Sequence, residues 1–247
     1  MKLGGTLFVR NGLMYDYCFV EAINSLKEFC DEVIVLDAGS DDGTKEVVEK
    51  MADSKTKIVC LEKEEWDEQK GKEKLAYFTN KAIEHLTASW NFNCQADEIL
   101  HEKSYKAVRN AINSNYADGY MITRVNLWGS PYMQLNVPQS RLPCSSQVIR
   151  LTKSNCQSVG DGESLDCQVV FNFVKDIELW HYGFVRKKEV MKDKIINMQK
   201  NVFLLDPDPK LDTMEVFDST AWFKKEDLRP IDHPHPKIMK EWILTRP

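Results

Sequence analysis

The chain has 247 residues, 33 basic against 38 acidic, with a formal charge of −5 and 43% hydrophobic content, the make-up of an ordinary soluble globular protein. A pI near 5.6 gives no electrostatic footprint for tracking nucleic-acid phosphates. No apolar stretch approaches the roughly 20 residues needed to cross a bilayer, and the start, MKLGGTLFVRNG, lacks the apolar core of a secretory signal. These features predict a cytoplasmic protein with no nucleic-acid partner and no transmembrane segment, and they leave peripheral membrane contact open. Seven cysteines scattered from Cys18 to Cys167 show no C-x-x-C spacing, which predicts reduced, mostly buried thiols rather than a zinc knuckle or a disulfide framework.

In chain order, residues 5–10 (GTLFVR) read as a strand, and Tyr15 to Phe29 carries Phe19, Ala22, Ile23 and Leu26 at helical spacing. Val33 to Leu36 is a continuous apolar run ended by Asp37, Ala38, Gly39 and Ser40, the pattern of a parallel strand buried on both faces. Thr44 to Met51 returns to helical period and Ile58 to Leu61 to a short strand, completing a βαβ unit. Leu75 to Leu86 reads as a helix and Trp90 to Cys94 as a strand that stops at Gln95, Ala96, Asp97 and Glu98. Such alternation predicts an α/β, doubly wound, mostly parallel Rossmann-like sheet. The second half is less regular, with strands expected at 119–125, 146–151 and Glu178 to Val185 and a turn-rich stretch between the first two. A basic amphipathic helix is expected from Lys187 to Lys200, broken by DPDPK, before a tail anchored by Trp222 and Trp242.

Ligands of open α/β sheets bind beyond the carboxyl ends of the strands, near the reversal of strand order. Two acidic clusters fall at such ends. DAGSDDGT, Asp37 to Thr44, suits turn and helix-cap chemistry equally well, but it is not a calcium loop, because Asp42 stands where that loop needs glycine and Val48 where it needs glutamate. QADE, Gln95 to Glu98, places carboxylates where a hard cation would neutralise a diphosphate. Together they describe a site for a nucleotide and its metal.

TLFVRN, SLKEFCDEVIVLDAGSDDGT, Trp66 with Asp67, SWNFNCQADEILHE, LWGS, VIRL and WHYGFVRKKEVMKDK occur in this order along the chain. In these motifs the sequence resembles the family 2 glycosyltransferases of the GT-A fold, within them a bacterial-type subgroup with QADE in place of a full DXD. The resemblance implies one GT-A domain over residues 1–205, with a nucleotide-sugar-binding half (1–100) and an acceptor and catalytic half (101–205), and a packed extension at 206–247. It implies a nucleotide-diphosphate sugar as donor, a divalent metal, usually manganese or magnesium, inversion at the anomeric carbon, and a glycan, lipid-linked or other hydroxyl acceptor. By position it assigns Arg10, Asn11, Asp37, Ser40 and Asp41 to base and ribose, with Lys72, Gln95 and Ala96 also on the donor side. Asp97, with Glu98 beside it, matches the surviving carboxylate of DXD. Gln95 departs from that motif with a neutral oxygen, and His181 would complete the metal ligands, an imidazole favouring manganese.

Basic groups must stabilise the departing diphosphate; Lys72, Lys74, Arg186, Lys187 and Lys188 are candidates, although charge runs are commonly solvated faces. A carboxylate must take the acceptor's proton, for which Asp161 and Glu163 of GDGESLD come first, with Asp166 and Glu102 behind them. Two other functions share these features. A nucleotidyltransferase would need a Gly-rich basic loop that FVRNGLMYDY does not supply, whereas a nucleotide-sugar-binding module with weakened catalysis fits the missing DXD carboxylate. The histidines of HPHP at 233 and 235 receive no role.

Overall fold

The computed structural model describes residues 1–167 and 171–246. β1 (Leu3–Val9), α1 (Phe19–Phe29), β2 (Glu32–Asp37), α2 (Thr44–Glu49) and β3 (Thr56–Cys60) form the first βαβαβ run. α3 (Lys63–Glu68) and α4 (Glu73–Ile83) lead to β4 (Trp90–Asn93). β5 (Glu98–Leu100), α5 (Tyr105–Ser114), β6 (Gly119–Trp128), β7 (Ser130–Leu135) and β8 (Gln147–Lys153) follow. A small hairpin of β9 (Gln157–Val159) and β10 (Ser164–Asp166) precedes the long β11 (Phe171–His181) and α6 (Lys188–Asn197). β12 (Leu228–Pro230) and α7 (Lys240–Ile243) lie near the end.

The strand order is β3-β2-β1-β4-β8-β6-β7-β12, with β11 alongside β6 and β5 alongside β11. β3, β2, β1 and β4 pair in parallel, while β8 runs antiparallel to both β4 and β6. The architecture is therefore α/β and Rossmann-like, with strand order reversing between β1 and β4. β2 explains why: Val33 and Val35 face α1 in the main core, while Ile34 and Leu36 pack with Phe78 and Ala82 of α4 on the other side. A strand with helices on both faces must be apolar throughout.

Several predicted boundaries shift. α1 starts at Phe19 instead of Tyr15 because Asn11 and Asp16 hold positive φ (49° and 52°), and the intervening residues form a loop whose Tyr17 N–H donates to Gly12 O at 2.8 Å. β11 stops at His181, where its pairing with Asn126 and Glu98 ends; the predicted continuation to Val185 is a turn closed by Val185 N–H on Tyr182 O at 2.9 Å. α6 ends at Asn197 and passes into a single π turn, Met198–Val202, so the predicted helix to Lys200 changes character in its last turn. Cys156 and Cys167 are joined in a disulfide with Cα atoms 5.0 Å apart. That corrects the all-thiol expectation: antiparallel pairing of β9 with β10 brings together the flanks of a hairpin, which sequence spacing alone does not reveal. Cys18, Cys30 and Cys94 are buried free thiols, and Cys60 and Cys144 are half-buried ones.

Residues beyond 206 pack on the sheet. Met239 and Trp242 enter the main core, Phe217 and Phe223 pack with Trp128 and Met191, and Trp222 stacks on Phe217 at 5.3 Å between centroids. Among the described residues no helix is long and apolar enough to cross a membrane.

Candidate active site

Beyond the carboxyl ends of β1 and β4 the sheet opens into a cavity of about 1000 Å³, where the reversal of strand order leaves a crevice. Arg10 and Asn11 come to it from the end of β1, Trp66 and Lys74 from α3 and α4, and Gln95, Ala96 and Asp97 from the end of β4. Asp161 and Glu163 reach it from the β9–β10 hairpin, His181 from the end of β11 and Lys194 from α6.

The two carboxylates of QADE have opposite fates. Glu98 is fully buried; Arg150 donates to both its oxygens at 2.9 Å and Arg124 to Oε1 at 3.2 Å. Burial opposes its charge, yet the two guanidinium groups hold its carboxyl down at about 2. It is a saturated structural anion, with its last bond coming from Gln95 N–H at 3.0 Å. Asp97 is 6% exposed, and among the described residues its carboxylate receives one hydrogen bond, 2.7 Å from Arg186 Nη2 to Oδ2. Arg186 is itself fixed by Tyr15 O at 2.6 Å, Gly183 O at 3.1 Å and the Tyr17 ring at 4.1 Å.

His181 Nε2 lies 3.8 Å from the other oxygen, Asp97 Oδ1. Its Nδ1 is 3.2 Å from Asn126 Oδ1, and the Asn126 amide nitrogen is committed to the carbonyls of Cys144 and Ser145 at 3.3 and 3.2 Å. The Asn126 oxygen must therefore accept, which puts the proton on Nδ1 and leaves a bare lone pair on Nε2. Burial pushes His181 down to about 4, so the ring is neutral at pH 7. Burial works against charge on Asp97 too, but His181, Arg186 and Lys194 hold its carboxyl below the usual range. With the imidazole uncharged at pH 7, Arg186 carries most of that effect.

Space beside this pair is kept by Gly183, where an added Cβ would collide with His181 Nε2 and come within 3.2 Å of Asp97 Oδ2. A neutral nitrogen, an available carboxylate oxygen and room between them fit a divalent cation whose remaining ligands come from a substrate. Among the described residues no group of three or more His, Cys, Asp or Glu converges on one point, so these two donors are what the protein could offer a cation here.

In the loops after β1 and β2, Asp37 is fully buried at the end of β2. Its Oδ1 accepts from the backbone of Gly39 (3.1 Å) and Ser40 (2.9 Å), and its Oδ2 is buried without a partner. Ser40 Oγ accepts from Asn11 N–H at 2.9 Å, and Asn11 and Asp41 exchange two bonds of 2.9 and 3.0 Å. The loops after β1 and β2 are thereby laced together, and of these assigned residues only Arg10 and Asn11 line the cavity; Asp37, Ser40 and Asp41 lie behind them. Arg10 donates to Ala38 O at 2.7 Å and to Gly39 O, with its guanidinium over Trp66. Asp42 closes an Asx turn at the start of α2, its Oδ1 accepting from Thr44 N–H at 2.9 Å, while the N-cap itself is Gly43, with no side-chain cap. Lys72 is exposed before α4 and does not reach the cavity. Lys74, two residues on, does, with its ammonium 4.3 Å from the Trp66 ring.

On the β9–β10 hairpin, Glu163 is forked by Arg124 at 2.9 and 3.2 Å, so Arg124 joins it to Glu98. Asp161 accepts from Glu163 N–H at 3.3 Å and forms no ion pair among the described residues. Asp166, Glu102, Lys187 and Lys188 are not at the cavity. The sequence reading missed the roles of Arg124, Arg150, Asn126 and Lys194. A signal existed for the first two, since a lone arginine in each of the apolar strands ITRV and VIRL must be buried with a partner.

Comparison with known proteins places this geometry. Residues 18–131 match the family described as Glycosyl transferase family 2; Asp161, His181 and Lys194 lie beyond the matched stretch. The glycosyltransferase SunS of Bacillus phage SPbeta and its prophage-derived counterpart in Bacillus subtilis (strain 168) are each 22% identical over 197 residues, 76% of this chain and 42% of theirs. The chain thus spans less than half the length of these curated relatives. S. aureus TarS has a similar structure, with a TM-score of 0.50 at 16% identity, covering 81% of this chain and 40% of that one. TarS 1–349 in complex with UDP-GlcNAc gives 0.50 at 15%, covering 81% and 67%. The fold is the GT-A fold. The likeness to the family 2 glycosyltransferases in sequence is confined to residues 18–131.

Proposed function

We propose that the chain is an inverting, metal-assisted glycosyltransferase that moves a sugar from a nucleotide-diphosphate donor to a hydroxyl acceptor. The observation that carries this reading is the bare Nε2 of His181 facing Asp97 Oδ1 at 3.8 Å on the floor of a nucleotide-sized cavity. In this reading Asp97 and His181 hold manganese or magnesium, which when bound neutralises the diphosphate and stabilises the negative charge of the leaving oxygen. Arg10 and Asn11 border the nucleoside, while Asp37 shapes the loop behind them through its bonds to Gly39 and Ser40 N–H. Arg186 fixes Asp97 so that only Oδ1 turns to the metal. Asp161 takes the acceptor's proton as the anomeric centre gains oxocarbenium character. Glu163, neutralised by Arg124, orders the hairpin that presents Asp161.

A nucleotide-sugar-binding module without turnover is the second reading, favoured by the loss of Glu98 to its two arginines and of a carboxylate at Gln95. Thermal shift with a panel of nucleotide sugars and manganese, with UDP-GlcNAc as first probe, followed by release of free sugar from whichever donor binds, separates the two. Binding with hydrolysis supports the enzyme. Binding without hydrolysis or transfer to any hydroxyl acceptor supports the module, and no binding to any nucleotide sugar rejects both.

A further inference from the structure

We infer that Lys194 binds the donor's diphosphate directly, adding a positive charge from the protein to that of the metal proposed at Asp97 and His181. This inference rests on the glycosyltransferase reading and adds to it a residue with a defined ligand. Lys194 lies on α6, partly buried at the cavity. Its ammonium donates to Gly183 O at 3.1 Å and stands 5.2 Å from the Phe184 ring and 5.9 Å from the Tyr17 ring. Among the described residues it has no other hydrogen bond and no ion pair, so two of its three protons have no acceptor.

The nearest carboxylate, Asp97, is already paired with Arg186. Cys144, also at the cavity, is a thiol that burial pushes up to about 12, so it offers no counter-charge. One carboxylate and two cations leave this floor with an uncompensated positive charge. A half-buried ammonium in that position is costly unless an anion completes it, and burial together with Arg186 pulls Lys194 down to about 8. The turn that holds it, through Gly183 O, is the same turn that borders His181 and Asp97. Lys194 therefore reaches the cavity beside the turn that follows His181. A phosphate oxygen there meets a charge-assisted donor.

The competing role is mechanical, with Lys194 serving only to hold the Gly183 turn. Calorimetry distinguishes the two with UDP, GDP, CDP, dTDP and ADP against the matching monophosphates, using wild type, Lys194→Met and Lys194→Arg, with the fold checked by circular dichroism. Lys194→Met keeps the apolar stem and removes the charge. It should weaken the bound diphosphate by about 10- to 100-fold, the range for a hydrogen bond to a charged group, and the monophosphate by less than about threefold. Lys194→Arg should recover most of the diphosphate affinity and guards against a fold defect in the methionine variant. Unchanged diphosphate affinity in Lys194→Met overturns the inference, as does an equal loss for mono- and diphosphate. If wild type binds none of these nucleotides, the glycosyltransferase reading itself fails and this inference with it.

Discussion

At the residue scale, His181 and Glu98 show how burial sorts like-looking polar groups into different tasks. His181 is charged at low pH in the unfolded chain but is pushed down to about 4 in the fold. Its neutral form is favoured by folding, so stability is fully present above about pH 6.5 and is lost as pH falls towards 4. His181→Gln should flatten that loss by up to about 3 kcal/mol between pH 6.5 and 4, measured as urea midpoints across the range. An unchanged acid limb would mean that the ring is not buried as described. Glu98 is anionic and saturated, and Glu98→Gln leaves Arg124 and Arg150 short of a counter-charge. A cost of about 3–5 kcal/mol in chemical denaturation is expected from breaking a buried pair on one side. A drop of less than about 1 kcal/mol would argue that the arginines find other partners.

At the scale of elements, the β9–β10 hairpin and the turn after β11 do most to assemble the site. Asp161 is the acceptor-side carboxylate at the cavity without an ion pair, whereas Glu163 is committed to Arg124. Asp161→Asn should lower transfer by about 10²- to 10⁴-fold with donor affinity nearly unchanged. Glu163→Gln should instead lower the melting temperature along with transfer, because it releases Arg124. If Asp161→Asn retains full transfer, the base lies elsewhere. The parallel half was legible in the sequence because apolar runs such as EVIVLD and the turn residues after them are local signals. α5 was not read, since only Val108, Ala111 and Ile112 of its ten residues are buried, too few to stand out against its polar face. The end of β11 and the Cys156–Cys167 pairing depend on neighbours distant in sequence. So does the fate of Glu98, set by Arg124 and Arg150, 26 and 52 residues away.

At the scale of the whole molecule, the C-terminal segment braces the donor side. Arg246 donates to Asp16 at 2.6 Å and lies over Trp242, and Asp16 also accepts from Lys187 N–H at 3.2 Å. The loop carrying Asn11, Tyr15 and Tyr17, all at the cavity, is thus tied to both α6 and the chain's last residues. The proposed function places one central requirement on this site, assembled beyond the ends of β1, β4 and β11 and from α6: that a diphosphate be bound through a metal at Asp97 and His181. The direct test is calorimetric titration of UDP, or of whichever nucleoside diphosphate binds best, into wild type and Asp97→Asn, each with manganese and with EDTA. Manganese should tighten wild-type binding by about tenfold or more, roughly 1.4 kcal/mol, and leave Asp97→Asn unaffected. Equal affinities in all four titrations, or an undiminished manganese effect in Asp97→Asn, would contradict the account.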